Sequence, residues 1–249
     1  MASVPLSPRH ALFDARADSV MAAAENDLLS RLPRRERLRL VAISESVHLE
    51  SGSVLYESTR SVRHAYFPHD CSIALVTTVG DHSGPGVALV GREGMLGVQL
   101  VLGVSATPFR ALVQHSGTAR RIKAMSFRYE LARSKALQGV MNDYLYVSMA
   151  QFVTSVACAH LHSVSQRLAL WLLMSQDRAH SDSLHLTQEF LAYIVGARRS
   201  GITGAAGDLQ RCGLIRYRRG EITVLDRRGL QSAACGCYAA RDAHERMLS

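Results

Sequence analysis

The stretch of sequence that decides the fold covers residues 186–215 and reads LTQEFLAYIVGARRSGITGAAGDLQRCGLI. Thr187 is a good N-cap residue for a helix that carries apolar side chains on one face. Gly196 suits the left-handed position that ends such a helix. A second helix follows a few residues later, and its apolar positions, from Ile202 to Leu209, face the first one. Two helices joined by a tight turn predict a helix-turn-helix.

The exposed end of this motif has the residue types of a DNA-reading surface. In a helix-turn-helix, the start of the second helix reaches base edges and phosphates. The sequence therefore predicts DNA contacts at Thr187, Gln188, Arg198, Arg199, Ser200, Gly201 and Thr203.

A basic hairpin follows the motif. Residues 214–225 read LIRYRRGEITVL, which is two β-type runs around a turn. Arg218 and Arg219 lie at its tip, and this predicts the wing of a winged helix with two more DNA contacts. Between residues 196 and 228, eight arginines stand against three acids, so this segment carries +5 of the chain's net charge of +8. The alternative is a solvated basic face on a packing domain.

The chain as a whole is also basic. Of its 249 residues, 29 are Lys or Arg and 21 are Asp or Glu, and 27 of the 29 cations are arginine. A basic excess favours a polyanionic partner, here double-stranded DNA. No run of 18 uncharged apolar residues occurs, and charges interrupt the first 30 residues. We therefore expect no membrane partner, no signal peptide and a cytoplasmic location.

Residues 47–124 have the pattern of an all-β region. Short β-type runs recur at roughly 8–12-residue spacing without helical patterns between them. The runs are Ser53–Glu57, Arg63–Pro68, Ser72–Val79, Val87–Val90, Phe109–His115 and Ala119–Ala124. Segment 80–86 predicts a turn, and the region predicts a β-sandwich or jelly roll. Ahead of it, residues 25–40 predict two short helical pieces broken at Pro33, and residues 1–24 a loose arm.

A helical pattern extends over residues 126–178. Ser126 is placed to cap a short helix, and Ser163 to cap a later one. Between them lies a seam with alternating spacings of three and four, made of Leu137, Val140, Tyr144, Val147, Gln151, Thr154, Cys158 and Leu161. The seam predicts a coiled-coil contact or a helix packed on its own sheet, and one helix can do both. We assign the seam as the dimer interface. Met141, Val153 and Val156 lie off the seam and are then expected to face the sandwich.

Several motifs together resemble the Crp/Fnr family, named after the cyclic-AMP receptor protein and the fumarate–nitrate regulator. They are Leu186-Thr187-Gln188-Glu189, Ile194-Val195-Gly196, Leu209, Gly213-Leu214-Ile215, His162-Ser163, Gln166-Arg167-Leu168-Ala169 and Trp171-Leu172-Leu173. The resemblance covers about residues 25–240 and implies an α+β protein. Its implied parts are an N-terminal arm (1–24), a β-sandwich sensor like a cyclic-nucleotide-binding domain (25–125), a dimerisation helix region (126–162) and a winged helix-turn-helix (163–249).

The resemblance implies a homodimeric, sequence-specific transcription regulator that is controlled through its sensor domain. A two-fold dimer would bind an inverted-repeat operator, and an activator of this kind would also contact RNA polymerase. The alternative is a ligand- or protein-binding sensor module whose DNA-binding domain has degenerated. The four cations Arg198, Arg199, Arg218 and Arg219 favour the first, because a degenerated domain has no reason to keep them on two adjacent elements.

The recognition helix departs from the best-known members of the family. Ser200 stands where Glu is common, and Gly204 stands where Arg is common. Glycines at 201, 204 and 207 each cost about 1 kcal/mol relative to Ala in a helix. The target sequences of those members therefore cannot be carried over.

The sensor region departs further. Val98 stands where cyclic-nucleotide members have a Glu for the ribose, and a valine cannot accept from a hydroxyl. Phe109 stands where they have an Arg for the phosphate, with Arg110 one place later on the opposite strand face. We therefore expect an effector other than cyclic AMP. The candidates to line a pocket for another anion are Arg92, Gly94, Gly97, Gln99 and Arg110, and the alternative is that these are polar rim residues.

Motifs for other chemistry are weak. Five cysteines occur at 71, 158, 212, 235 and 237, an odd number with one close pair. Cys235-Gly-Cys237 is too short for the usual zinc spacing and lacks a second pair. His160 and His162 do not share a helix face. The segment 91–103 lacks the Lys-Ser/Thr of a P-loop, and no Gly-x-Ser-x-Gly is present. We therefore predict reduced, structural cysteines, no metal site, no assigned cofactor and no enzyme activity.

Overall fold

The computed structural model describes residues 26–79 and 82–248, so the predicted arm at 1–24 lies outside the described residues. The helices are α1 (Asp27–Ser30), α2 (Arg34–Ala42), α3 (Ala124–Arg133), α4 (Lys135–Leu161), α5 (Val164–Ala179), α6 (Gln188–Val195), α7 (Arg199–Arg211), α8 (Arg227–Ala233) and α9 (Cys237–Glu245), with 3₁₀ turns at Val98–Leu102 and Arg246–Leu248. The strands are β1 (Ser44–Leu49), β2 (Val54–Tyr56), β3 (His64–Pro68), β4 (Ser72–Val79), β5 (His82–Val90), β6 (Phe109–His115), β7 (Gly117–Lys123), β8 (Ser183–His185), β9 (Ile215–Arg218) and β10 (Glu221–Val224). Among the described helices, none combines the length and the apolar character needed to cross a membrane.

Two antiparallel sheets form the N-terminal sandwich, with strand orders β1-β7-β3 and β2-β6-β4-β5. Side chains from both sheets share one core, in which Phe67, Ile73 and Ile122 are at most 1% exposed. Every predicted β run coincides with a strand. However, β5 begins at His82, inside the segment that the sequence predicted as a turn.

The strand β1 has no counterpart among the predicted runs. It pairs with β7 over its full length, from Ser44 opposite Ile122 to Leu49 opposite Gly117. Its side chains at Glu45, Ser46 and His48 are exposed. The hydrogen-bonded pairing with β7, and not an alternation of apolar side chains, therefore accounts for this strand.

The caps of the first helices agree only in part with the sequence predictions. Pro33 precedes α2, so the predicted break between two short helices is confirmed. The predicted cap at Ser126 is wrong, since α3 already begins at Ala124. Instead, the Ser134 hydroxyl accepts from the backbone N–H of Leu137 at 3.0 Å and begins α4.

The long helix α4 packs on its own sandwich with the seam that was assigned to the dimer. In this face of the helix, Leu137, Val140, Tyr144 and Val147 are between 1 and 9% exposed and belong to the sandwich core. Gln151 and Cys158 are buried as well, whereas Thr154 is half-buried and Leu161 is exposed. A side chain that its own chain buries has no surface left for a second copy. The structure thus corrects the assignment for the six seam residues that their own chain buries, Leu137, Val140, Tyr144, Val147, Gln151 and Cys158. For Thr154 and Leu161 it stays a prediction.

Of the three residues beside the seam that were expected to face the sandwich, only one does. Met141 is fully buried and faces the sandwich as predicted, but Val153 and Val156 are 70 and 69% exposed. The helix therefore presents an apolar surface on the side that faces away from the sandwich core.

The winged helix follows the sequence predictions closely. Ser163 and Gln166 form a capping box at the start of α5. The Thr187 hydroxyl accepts from the N–H of Phe190 at 3.1 Å at the start of α6, and Gly196 ends α6 with φ = 67°. The strands β8, β10 and β9 form a small antiparallel sheet behind the two helices.

The winged helix packs tightly on the sandwich. A Cβ on Gly86 of β5 would lie 3.1 Å from the Trp171 ring of α5 and 3.2 Å from Ile194 of α6, so glycine allows this close approach. Nearby, the guanidinium of Arg178 bridges the carboxylates of Glu93 and Glu245 at 2.8 and 2.7 Å. Burial lowers the pKa of Arg178, but the two carboxylates outweigh this effect and raise it. One buried cation thus connects the sandwich, α5 and the C-terminal helix α9.

Candidate DNA-binding surface, sensor cavity and cysteine cluster

The N-terminal end of α7 is an open, basic surface. Arg198 precedes the helix, and Arg199, Ser200 and Thr203 are exposed on its first turns. Of the other predicted contacts in the motif, Thr187 is exposed, whereas Gln188 and Gly201 are half-buried.

A hydroxyl couples the two helices of the motif on this surface. Thr203 donates to Oε1 of Gln188 at 3.3 Å, and its hydroxyl is also 3.0 Å from the carbonyl oxygen of Arg199. The structure thus brings the predicted residues of α6 and α7 together.

The wing is a hairpin with a two-residue turn at Arg219 and Gly220. Both residues have positive φ, 51° and 84°, as a type I′ turn requires. Arg218 and Arg219 are exposed at this tip, as the sequence predicted.

Wing and recognition helix share one cleft of about 370 Å³. Its lining consists of Thr187, Gln188, Arg199, Tyr217, Arg219 and Gly220. The sequence analysis missed Tyr217, although an aromatic residue between two arginines on a wing strand was a usable signal. Burial raises the pKa of Tyr217, and the protonated hydroxyl donates to the carbonyl of Leu186 at 3.3 Å.

One row of positions along α7 consists of glycines. Gly201, Gly204 and Gly207 follow one another at intervals of three residues, and a Cβ added to any of them would meet no atom within 4 Å. Neither close packing nor a positive φ therefore requires glycine at these three positions.

The sensor cavity is nearly filled by protein side chains. It lies between the sandwich and α4 and has a volume of about 20 Å³, enough for about one water molecule. Phe109 and Phe152 meet across it with ring centroids 5.1 Å apart. Among the predicted pocket residues, Gly97 and Gln99 belong to its lining.

The other predicted pocket residues have different partners. Arg92 pairs with Asp27 at 3.1 Å, and Arg110 lies 3.3 Å from the carboxylate of Glu57. A Cβ on Gly94 would collide with the hydroxyl oxygen and the ring of Tyr144. The structure thus does not gather the two arginines around the cavity, and they form no preformed anion pocket there.

Four side chains predicted to have no metal role lie together at the end of α4. The ligand atoms of Cys158, His162, Cys235 and Cys237 all lie within 4.8 Å of one another. The sequence offers no second pair of ligands near Cys235 and Cys237, but the fold places Cys158 and His162 beside them, so that expectation is wrong. The signal that was missed is the i, i+4 spacing of Cys158 and His162, which places both on one helix face.

Comparison with known proteins agrees with this architecture. Residues 166–233 match the family model of the Crp-like helix-turn-helix domain. A structure assigned to the Crp/Fnr family from Eubacterium rectale superposes with a TM-score of 0.66 at 16% identity, covering 83% of this chain and 96% of that one. FixK2 from Bradyrhizobium japonicum gives 0.65 at 12% identity, with 78 and 98% covered. A Crp/Fnr-family transcriptional regulator from Thermus thermophilus gives 0.63 at 22% identity, with 76 and 98% covered. Comparison with curated proteins finds no match.

The fold is a β-sandwich joined by a long helix to a winged helix-turn-helix. Residues 166–233 match the Crp-like helix-turn-helix family, and the chain has the fold of the Crp/Fnr regulators. The resemblance inferred from the sequence is thus confirmed. Residues 166–233 are therefore similar to a Crp-like helix-turn-helix domain, within a chain that has the fold of the Crp/Fnr regulators.

Proposed function

We propose that the protein is a homodimeric, sequence-specific DNA-binding transcription regulator. The observation that carries this proposal is the shared cleft of recognition helix and wing, where Arg199 and Arg219 face the same open space. Arg pairs with guanine edges and with phosphates, so this cleft has the chemistry of a DNA groove contact. The contacts we assign are those named from the sequence: Thr187, Gln188, Arg198, Arg199, Ser200, Gly201, Thr203, Arg218 and Arg219.

A second copy of the chain is the partner that we propose for the outer face of α4. Tyr146, Met149, Val153 and Val156 follow one another at spacings of three, four and three, and all are between 58 and 70% exposed. This is the spacing of a coiled-coil contact line, and large side chains exposed in such a stripe mark an interaction site. Paired α4 helices would place two recognition helices on successive major grooves, about 34 Å apart.

The domain plan that we propose is the one expected from the sequence, with a sensor domain at 25–125, a dimerisation helix region at 126–162 and the DNA-binding domain at 163–249. The nearly filled cavity and the paired Arg110 support an effector other than cyclic AMP. We further assign the protein to the cytoplasm and, if it activates, to contact with RNA polymerase.

Selection of bound duplexes from a random library tests the proposal with the full chain. We expect enrichment of an inverted repeat whose half-sites are about one helical turn apart, and binding that weakens as salt rises. Absence of salt-dependent duplex binding would instead support the sensor module with a degenerated DNA-binding domain.

A further inference from the structure

The cysteine cluster joins two parts of the chain that are far apart in sequence. Cys158 and His162 lie in the last turn of α4 and at its C-cap, and Cys235 and Cys237 flank Gly236 just before α9. The sulfur atoms of Cys158 and Cys235 are 3.5 Å apart, and the sulfur of Cys237 is 3.6 Å from Nδ1 of His162. Cys158, Cys235 and Cys237 are between 4 and 8% exposed.

We propose that Cys158, His162, Cys235 and Cys237 bind one Zn²⁺ ion in a closed tetrahedral site. Zinc binds thiolate sulfur at about 2.3 Å and imidazole nitrogen at about 2.0–2.1 Å, so tetrahedral geometry sets two sulfurs about 3.8 Å apart and a sulfur and a nitrogen about 3.6 Å apart. The sulfur–sulfur distance of 3.5 Å and the sulfur–nitrogen distance of 3.6 Å in the cluster lie close to these values. Three thiolates and one imidazole are a ligand set of structural zinc sites.

Other roles for the four groups fit the geometry less well. A disulfide requires sulfurs about 2.05 Å apart and would use only two of the cysteines. An iron–sulfur cluster places several iron and sulfide ions between its ligands and so holds them farther apart than one ion does. The mutual separation of at most 4.8 Å suits a single ion.

A divalent cation suits three neighbouring thiolates. Thiolates this close repel one another, and Zn²⁺ offsets that repulsion because it binds the deprotonated form of each ligand.

The surroundings of the cluster also suit a zinc site. Three thiolates and Zn²⁺ would carry a net charge of −1, and the buried guanidinium of Arg241, which lines the same cavity as Cys158, is a positive charge that opposes it. Charged groups next to the ligands tune the properties of a metal site.

The position of the site gives it a structural consequence. His162 is the C-cap of α4 and Ser163 is the N-cap of α5, so the ligands lie at the joint between the long helix and the winged helix. A zinc ion here would fasten the segment before α9 to this joint. Four protein ligands leave no open position, so the ion would stabilise rather than catalyse.

Metal analysis of the full chain tests the proposal. We expect about one zinc per chain after gel filtration without chelator, and a loss of at least tenfold in Cys235→Ser/Cys237→Ser. Cys212→Ser, which changes an exposed cysteine outside the cluster, and His162→Cys, which supplies another thiolate ligand, should both keep about one zinc. Cobalt added to the chelator-treated wild type should give thiolate-to-cobalt charge-transfer bands and intense visible bands of a tetrahedral ion, whether or not the double variant folds.

Three results would overturn the proposal. The first is wild-type protein without zinc that also gives no thiolate–cobalt bands. The second is zinc content unchanged in the folded double variant. The third is iron with acid-labile sulfide, or a Cys158–Cys235 disulfide, in protein purified without reductant.

Discussion

Trp171 donates its indole N–H to Oε1 of Gln114 at 2.9 Å, across the boundary between the winged helix and the sandwich. The amide nitrogen of the same Gln114 donates to the hydroxyl of Ser175 at 2.9 Å. Gln114 is 7% exposed and Trp171 is 6% exposed. The buried amide of Gln114, on strand β6 of the sandwich, therefore forms hydrogen bonds with two side chains of α5.

The substitution Gln114→Leu should destabilise the protein by about 1–3 kcal/mol, because it leaves the buried indole N–H without an acceptor. Trp171 is the only tryptophan in the chain, so its fluorescence during urea unfolding reports on this boundary. A double-mutant cycle with Trp171→Phe, followed by circular dichroism, is the control. Strictly additive free energies of unfolding would show that the pair does not interact.

Arg199 is expected to read a base. It lies in the first turn of α7 and lines the cleft, and a bidentate Arg–guanine pair contributes about 1–3 kcal/mol of discrimination. Arg199→Ala should therefore relax specificity at one base pair in each half-site. Binding across a library of half-site variants measures this. If affinity falls equally for all variants and the preferred sequence stays the same, Arg199 binds a phosphate instead.

Arg218 and Arg219 on the wing are expected to contribute to DNA affinity equally for all base sequences. The double substitution Arg218→Ala/Arg219→Ala should weaken all duplexes alike and flatten the slope of log K against log salt by about 0.9 for each phosphate that the variant no longer neutralises. The same library measured at several salt concentrations separates this from the effect of Arg199→Ala. A change of sequence preference in the wing variant would contradict the assignment.

The two faces of α4 should respond differently to an added charge. Val153→Asp places a carboxylate on the exposed stripe, so we expect the mass in sedimentation to fall from dimer to monomer while the fold is kept. Val147 is 1% exposed, so Val147→Asp buries a charge and should unfold the sandwich. Ala132→Asp on the exposed side of α3 is the control and should remain dimeric. A dimeric Val153→Asp would place the interface elsewhere.

Cyclic AMP should not bind with micromolar affinity. The cavity of about 20 Å³ has no room for a nucleotide, and Val98 offers no acceptor to a ribose hydroxyl. Isothermal calorimetry measures this for the wild type and for Glu57→Gln, which removes the acid beside Arg110. We expect no binding in either, and a micromolar dissociation constant in the wild type would refute the prediction.

The sequence predicted those parts of the fold in which local signals and tertiary contacts agree. Thr187, Gly196 and Ser163 are caps whose chemistry is readable from a few neighbouring residues, and the structure uses all three. Ser126 failed as a cap because β7 already leads into the helix at Ala124. The exposure of Arg218 and Arg219 was predicted correctly as well, because a short hairpin turn places the residues at its tip in solvent.

The remaining features depend on contacts between distant residues. A spacing of three and four on α4 shows that a face is apolar, but not whether its partner is the sandwich or a second copy, so Val147 was assigned to the wrong side. Cys158 and Cys235 are separated by 77 positions, and only the fold brings them together. The small volume of the sensor cavity likewise depends on Phe109 and Phe152 meeting from different elements.

The three glycines on the surface of α7 are positions where side chains can be added without a clash. Each of Gly201, Gly204 and Gly207 has open space where a side chain would stand, and replacement by alanine should gain about 1 kcal/mol of helix stability. Most changes that alter a binding surface cost stability. At these three glycines, however, a new side chain also makes the helix more stable. A lineage or a designer could therefore reach new operator preferences at these positions without first stabilising the rest of the protein.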